Sequence, residues 1–254
     1  MKNPSLAAAA SMLGLVFVMS PIADLHAAEL KVLAGGSMTG PLNELAPQFE
    51  RASGHKLTVH FDSTPNLIKQ ATSGTPFDLG VVPVDVFKNA EAKARFAAGP
   101  TIDIARVGYG VIVRAGAPKP DVSTPEALKN ALLGAKSITY LPASAAGAYV
   151  TSVFERLEII EAIKAKIVPQ TSTGEIPKAV ARGDAELGVF LINVLMAPGV
   201  ELAGPFPAGL QNDLVFTAAV AADTKEAEAA KAFIAYLKTP AAIAVITATG
   251  MTPG

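Results

Sequence analysis

Four short turns rich in glycine, serine and threonine each stand between a predicted strand and a predicted helix. The first spans residues 35–40, with the sequence GGSMTG, and the others contain Thr64, Ala146 with Gly147, and Thr173. A helix that begins at such a turn leaves backbone N–H groups unpaired and places the positive end of its dipole there. Hydroxyl and N–H groups can hold an anion without lysine or arginine. Together the turns predict an anion site, although each turn alone fits ordinary helix capping equally well.

The segments around these turns alternate between strand and helix patterns. Short apolar runs predict strands, and apolar residues at helical spacing predict helices. The predicted strands are 30–34, 56–61, 77–82, 137–141, 167–170, 187–192 and 214–221. The predicted helices are 41–52, one beginning near Pro65, 88–96, 124–133, 148–157, 176–182, 225–237 and 240–249. We expect Ala229, Ala232, Phe233, Tyr236 and Leu237 to form the buried face of the helix at 225–237. This alternation predicts an α/β fold in which each sheet is mixed but mostly parallel and is flanked by helices.

The extended run 102–114 contains Gly108 and Gly110. It fits either a crossing between two lobes or an edge strand with a bulge. We predict the crossing, because a second α/β series begins directly after it. The predicted organisation is a signal peptide at 1–27, a first lobe at 28–106, a second lobe at 107–212 and a return to the first lobe at 213–254. A ligand cleft would lie between the lobes at the carboxyl ends of the strands.

The first 27 residues have the layout of a secretory signal peptide. Lys2 precedes a run of mostly apolar and small residues at 6–19, and Ala27 and Ala28 stand before the first charged segment. A basic start, an apolar middle and a small-residue cleavage site are typical of such peptides. Later stretches lack the roughly 18 to 20 unbroken apolar residues of a membrane span. We therefore predict export to the periplasm, with cleavage after Ala27.

Composition excludes several classes of function. The chain has no cysteine, so neither disulfides nor thiol chemistry are expected. Its net charge of −1 lacks the basic excess of a nucleic-acid-binding surface. His55 and His60 lie near the second predicted strand, too few and too unsupported for a catalytic triad or a zinc site. The sequence has no phosphate-binding P-loop and no dinucleotide-binding fingerprint after residues 30–34.

Short segments along nearly the whole chain resemble the periplasmic molybdate-binding proteins of ABC importers, a family with the type 2 periplasmic binding-protein fold. They are GGSMT at 35–39, FDST at 61–64, SGTPFDL at 73–79, AAGAY at 145–149, DAELG at 184–188, FIAYL at 233–237 and GM at 250–251. The resemblance implies two lobes that close over a small oxyanion. It places hydroxyl contacts at Ser37 and Thr64 and backbone N–H contacts at Ala146 and near Thr173. The predicted ligand-binding residues are Gly36, Ser37, Ser63, Thr64, Ala146, Gly147 and Thr173.

Two positions depart from the family pattern. A tyrosine that the molybdate-binding proteins contribute falls on Leu191, and the serine-rich loop has become Asp62-Ser63-Thr64-Pro65. An unreplaced hydroxyl donor would cost an oxyanion roughly 1.5 to 3 kcal/mol. An ionised Asp62 facing the site would repel an anion, unless it points away or caps the helix. Molybdate is therefore one candidate ligand among small anions.

The resemblance leaves one enzyme class open, because exported isomerases of small tricarboxylates, such as aconitate isomerase, resemble the same family. Such an isomerase needs one base and an anion cradle. Asp62 could be the base, and Ser63 or Ser144 could orient the substrate. The prediction that we favour is a monomeric periplasmic binding protein without metal or cofactor. Its partners would be a small anion and an ABC permease in the inner membrane. A sensor that presents its ligand to a membrane partner would use the same cleft.

Overall fold

The computed structural model describes residues 27–254. The predicted signal peptide at 1–27 therefore lies outside the described residues except for Ala27. Within them the chain forms two β-sheets of six and five strands, with helices packed against both. Apolar side chains on the strands and on one face of each major helix form the core between them. The α/β, two-lobed fold predicted from the sequence is confirmed.

The first sheet takes its strands from both ends of the described chain. Their spatial order is β11 (Thr252–Pro253), β4 (Ile102–Val107), β10 (Leu214–Val220), β3 (Leu79–Pro83), β1 (Glu29–Gly35) and β2 (Lys56–Asp62). β1 lies parallel to β2 and β3, and its last residue, Gly35, pairs with Asp62. The segments that follow β1 and β2 therefore both start at the carboxyl ends of these strands, on the same side of the sheet. Ser37 and Thr64 lie in these two segments.

The second sheet is built from the middle of the chain. Its order is β7 (Ile167–Pro169), β6 (Ile138–Tyr140), β8 (Leu187–Leu191), β5 (Tyr109–Arg114) and β9 (Val200–Pro205). β6 lies parallel to β7 and β8, so the segments after β6 and β7 also leave one edge together. Those segments hold Ala146 and Thr173. We call the part of the molecule around the first sheet the first lobe, and the part around the second sheet the second lobe.

Most helices begin or end with a recognisable capping residue. They are α1 (Thr39–Ser53), α2 (Thr64–Thr72), α3 (Ala90–Ala94), α4 (Pro125–Gly134), α5 (Ala145–Arg156), α6 (Ile160–Ile163), α7 (Glu175–Arg182), α8 (Ile192–Leu195), α9 (Ala227–Tyr236) and α10 (Pro240–Ala248). The side chains of Thr124, Ser144 and Thr239 accept backbone N–H bonds at the starts of α4, α5 and α10. Such caps satisfy N–H groups that a helix cannot pair internally.

The run 102–114 forms two strands in different sheets. β4 ends at Val107 in the first sheet and β5 begins at Tyr109 in the second, so the chain crosses between sheets at Gly108. Gln211, on the returning segment, accepts from the Tyr109 N–H at 2.7 Å and donates to the Tyr109 carbonyl at 3.0 Å. A Cβ atom on Gly108 would lie 3.0 Å from the Gln211 amide. Glycine thus allows the two connecting segments to approach closely.

Three details of the predicted elements are wrong. The sheets are mixed as predicted but not mostly parallel: among the described residues, five of the nine strand pairs are antiparallel. The reason is that β4, β5 and β10 carry the chain between lobes and run against their neighbours. The helix predicted at 88–96 is divided into a 3-10 turn and α3, because extended Asn89 caps α3 with its side chain. The short strands β9 and β11 were not predicted.

The buried face of α9 also differs from the prediction. Ala229, Phe233 and Leu237 are buried and Tyr236 is partly buried, whereas Ala232 is exposed. Ala230 and Ile234 are buried instead. α9 carries alanine around most of its circumference, so its apolar pattern alone does not define which face packs inward.

In the described part of the chain no single helix is long and apolar enough to cross a membrane. The pair α9 and α10 meets the length and composition criteria only when taken together, and the two helices are bent by 63° at the break between them.

Candidate functional site

A small cavity of about 20 Å³ lies where the two lobes meet. The first lobe lines it with Gly36, Ser37, Asp62, Ser63, Thr64, Pro83, Leu214 and Phe216, and the second with Leu141, Ser144, Ala146, Thr173 and Phe190. A space of this size holds about one water molecule. The lobes are therefore in close contact around it, as in a closed arrangement. We call this space the interlobe cavity.

The structure brings together six of the seven predicted ligand-binding residues in the wall of the interlobe cavity. They are Gly36, Ser37, Ser63, Thr64, Ala146 and Thr173. Gly147 is not among the lining residues. Its N–H group donates to the Ser144 hydroxyl at 2.9 Å, and a Cβ atom there would lie 1.8 Å from the Leu141 carbonyl oxygen. Gly147 therefore lets the start of α5 pack against the preceding loop, and its contact with a ligand stays a prediction.

Ser37 and Thr64 are positioned by neighbouring strands of the first sheet. Ser37 lies in the 3-10 turn between β1 and α1, and Thr64 is the first residue of α2, with Pro65 after it. Both are 7% exposed. Their burial at helix starts places hydroxyl groups beside unpaired backbone N–H groups, which is the arrangement that holds an anion.

Two hydrogen bonds join the lobes beside the cavity. The Ala145 N–H at the start of α5 donates to the Thr64 hydroxyl oxygen at 3.2 Å. The Asn193 side-chain amide donates to the Ser37 carbonyl at 2.7 Å. Sequence reasoning missed Asn193, whose only signal was an amide side chain directly after the buried strand β8. Its Oδ1 atom is buried and has no hydrogen-bond partner among the described residues.

Asp62 lines the cavity but its carboxylate is engaged on the side of α2. Oδ1 accepts from the Ser63 N–H at 2.7 Å and the Asn66 amide at 2.8 Å, and Oδ2 accepts from the Gln70 amide at 3.0 Å. Partial burial alone would raise the pKa of Asp62, but the hydrogen bonds from Asn66, Ser63 and His60 outweigh burial and hold this pKa below its ordinary value. Asp62 is therefore an ionised residue at the start of a helix and a weak proton acceptor.

The remaining cavity wall is apolar and carries no cation. Phe190, Phe216 and Leu141 cover one part of it, and no lysine, arginine or histidine is among the lining residues. Leu191, where the family tyrosine was expected, is fully buried and pairs with Tyr109 on β5. Burial raises the pKa of the Tyr109 hydroxyl, which keeps it neutral. Any anion held here would thus depend on hydroxyl and backbone N–H donors.

Polar side chains in and near the cavity wall are engaged by neighbouring groups. Ser144 accepts from Gly147 and donates to the Leu141 carbonyl at 2.9 Å, so its hydroxyl is committed to capping α5. His55 accepts from the Ala28 N–H at 3.1 Å and stacks on Phe49, away from the cavity. His60 lies 3.5 Å from Asp62 on the exposed side. In residues 27–254 no group of three histidine, aspartate or glutamate side chains is arranged to hold a metal ion.

Comparisons with known proteins agree with this geometry. The family described as bacterial extracellular solute-binding protein matches residues 30–252. An aconitate isomerase from a Pseudomonas species is 30% identical over 88% of this chain and 87% of its own. A molybdate-binding protein from Azotobacter vinelandii is 29% identical over 89% of this chain and 90% of its own.

Among solved structures, the Azotobacter vinelandii periplasmic molybdate-binding protein is similar with a TM-score of 0.74 at 23% identity. The match covers 88% of this chain and 98% of that one. This similarity shows the fold, and the relatives in sequence confirm the predicted resemblance to periplasmic molybdate-binding proteins. The named ligands of these relatives differ, however, so the comparisons leave the ligand of this chain open.

Proposed function

Because this chain belongs to the family of bacterial extracellular solute-binding proteins, we propose that it is a periplasmic binding protein that closes its lobes over a small oxyanion and delivers it to an ABC permease. The observation that carries this proposal is the interlobe cavity, into which both lobes direct hydroxyl groups and helix starts. The protein acts as a monomer and requires no metal or cofactor for binding. Residues 28–106 and 213–254 form its first lobe, and 107–212 form its second.

The anion is held by uncharged donors from both lobes. Ser37 and Thr64 supply hydroxyl groups from the first lobe, while Ala146 and the turn at Thr173 supply backbone N–H groups from the second. Such donors bind charge more strongly in a water-excluded site than they do in water. A ligand that contacts both lobes stabilises the closed arrangement in proportion to its differential affinity for it. Since the cavity is small, a compact anion binds with modest displacement of the walls.

A thermal-shift panel of the mature protein tests the proposal. The panel contains molybdate, tungstate, sulfate, phosphate, and mono-, di- and tricarboxylates, with chloride as the reference anion. At about 100 times its dissociation constant, a ligand adds about 2.7 kcal/mol to the free energy of unfolding. For a chain of this size that raises Tm by roughly 5 to 10 °C. The proposal fails if none of these anions raises Tm above the chloride reference.

The identity to an aconitate isomerase supports a second candidate function, isomerisation of an unsaturated tricarboxylate. The structure offers Asp62 as the base, but its lowered pKa and its hydrogen bonds to α2 make proton abstraction unfavourable. Proton NMR of cis- and trans-aconitate incubated with the protein separates the two candidates. Interconversion that is lost in Asp62→Asn supports the isomerase, and unchanged spectra over many hours favour the binding protein.

A further inference from the structure

A second pocket of about 360 Å³ adjoins the interlobe cavity. The two spaces share Gly36, Ser37 and Thr173 as walls. We call the second space the flanking pocket; its other walls come from the starts of α1 and α7, from α8 and from the end of α10. Its volume is at the lower end of the range typical of small-molecule sites. We propose that the flanking pocket holds the uncharged, hydroxyl-bearing part of an organic acid whose anionic group lies in the interlobe cavity.

The Thr173 side chain lies between the two spaces, beside Gly36 and Ser37. A Cβ atom added to Gly36 would lie 3.3 Å from the Thr173 hydroxyl oxygen and methyl carbon, so Thr173 stands directly against the Gly36 backbone. Thr173 is partly exposed, and rotation about its χ1 moves both groups between staggered positions. An organic acid can therefore extend from one space to the other without movement of the main chain. An inorganic oxyanion needs the interlobe cavity alone.

The lining of the flanking pocket selects an uncharged group. None of its lining residues is charged. Val194 and Met196 give it an apolar wall, while Thr249 and Asn193 add polar groups. A second or third carboxylate placed here would lose its hydration without gaining a cation, which is costly. The pocket consequently disfavours a tricarboxylate and favours an acid with one anionic group.

Asn193 is the residue that favours a ligand with a hydroxyl group. Its amide nitrogen is committed to the Ser37 carbonyl at 2.7 Å, while its buried Oδ1 acceptor has no partner among the described residues. A buried acceptor without a donor is unfavourable, so a ligand hydroxyl that reaches Oδ1 while the lobes are open, and donates to it on closure, recovers part of that free energy. Sites built to hydrogen-bond a ligand hydroxyl reject the analogue that lacks it. Asn193 therefore makes the site selective for hydroxy acids.

Calorimetric titration of the mature protein tests this inference, which rests on the proposed function. The ligands are glycerate and gluconate, their counterparts without hydroxyl groups, propionate and hexanoate, and the inorganic anions molybdate and sulfate. We expect at least one hydroxy acid to bind about tenfold or more tightly than its counterpart. If an inorganic anion binds while neither hydroxy acid does, the inference is overturned and the proposed function stands. If no anion binds at all, the proposed function itself fails.

Gly174→Leu fills the flanking pocket selectively. Gly174 has helical φ and ψ of −67° and −18°, and a Cβ atom there meets nothing within 4 Å. We expect this variant to weaken hydroxy-acid binding by about tenfold or more, and to weaken it several-fold more than it weakens inorganic-anion binding. Gly134→Leu, at an equally open site at the end of α4, is the control. Unchanged hydroxy-acid binding in Gly174→Leu, or an equal loss in Gly134→Leu, would overturn the inference.

Discussion

Individual residues at the interlobe cavity divide into proposed ligand donors and residues that support the cavity wall. Ser37 and Thr64 are buried hydroxyl residues in the cavity wall, whereas Gly147 and Ser144 satisfy each other at the start of α5. Sequence patterns could identify the first pair, because small polar residues at strand-to-helix turns carry a local signal. They could not tell that Ala146 lines the cavity and Gly147 does not, since that depends on how the Ser144 cap and the preceding loop pack against α5. The placement of the ligand on Ser37 and Thr64 stays a prediction.

We predict that Ser37→Ala and Thr64→Ala each weaken anion binding by about tenfold or more, because each removes a hydroxyl donor to a charged ligand. Thr72→Ala is the matched control, since the Thr72 hydroxyl bonds only carbonyls of its own helix, α2. Calorimetry with the anion that raises Tm most provides the dissociation constants. Equal affinity in all three variants and the wild type would show that neither the Ser37 nor the Thr64 hydroxyl contributes to anion binding.

The ionised form of Asp62 should contribute to stability in a defined pH range. Its pKa in the folded protein is lower than that of an unfolded aspartate, which is about 3.9. The contribution is therefore complete above the unfolded pKa and is lost as the pH falls through the lower folded pKa. We expect the free energy of unfolding to fall more steeply below about pH 5 in the wild type than in Asp62→Asn. Urea titrations of both proteins from neutral pH to about pH 2.5 measure this difference, and parallel curves would contradict it.

At the scale of elements, the parallel strands explain why residues far apart in the chain meet. Parallel pairing of β1 with β2, and of β6 with β7, places the four turns at the carboxyl ends of the strands in the two sheets. These ends face each other across the cavity. Local patterns predicted most of these strands and helices. They did not predict β9 or β11, because pairing with distant strands rather than local apolar alternation defines those short segments. The antiparallel pairs likewise depend on where the chain crosses between lobes.

The cap of α5 offers a prediction at this scale. Ser144→Ala should lower the free energy of unfolding by about 1 kcal/mol and should also weaken anion binding, because the start of α5 presents Ala146 to the cavity. Thr124→Ala removes an equivalent cap from α4, away from the cavity. It should cost similar stability without changing the dissociation constant. Denaturant unfolding and calorimetry measure stability and binding in the two variants. An identical effect of both variants on the dissociation constant would show that the Ser144 cap has no specific role in anion binding.

The connection between lobes makes a separate prediction. Gln211→Ala leaves the Tyr109 N–H group without its partner, while the Tyr109 carbonyl keeps the Phe206 N–H donor at 2.9 Å. We expect a loss of about 1 to 3 kcal/mol in the free energy of unfolding. Asn212→Ala changes the exposed neighbouring residue in the same segment and is the control. Chemical denaturation monitored by circular dichroism provides both values. An equal free energy of unfolding in the two variants would show that the hydrogen bonds between Gln211 and Tyr109 do not contribute to stability.

For the whole molecule, the two sheets and the two interlobe hydrogen bonds describe a protein whose lobes meet around the interlobe cavity, where we propose that one anion binds. The bond between Ala145 and Thr64 joins residues 81 positions apart, and the bond between Asn193 and Ser37 joins residues 156 positions apart. Sequence resemblance could predict the two lobes and the class of site. It could not predict Asn193 or the flanking pocket, because both arise from packing between lobes rather than from any local motif.

Lobe closure over an anion is the central claim, and energy transfer between two fluorophores measures it directly. Because the chain lacks cysteine, Lys69→Cys on α2 and Lys178→Cys on α7 place one label on each lobe, at exposed positions. A second protein with Lys69→Cys and Lys225→Cys carries both labels on the first lobe. We predict that a binding anion shortens the interlobe distance and leaves the distance within the first lobe unchanged. An interlobe distance that stays constant while the anion binds would contradict the account.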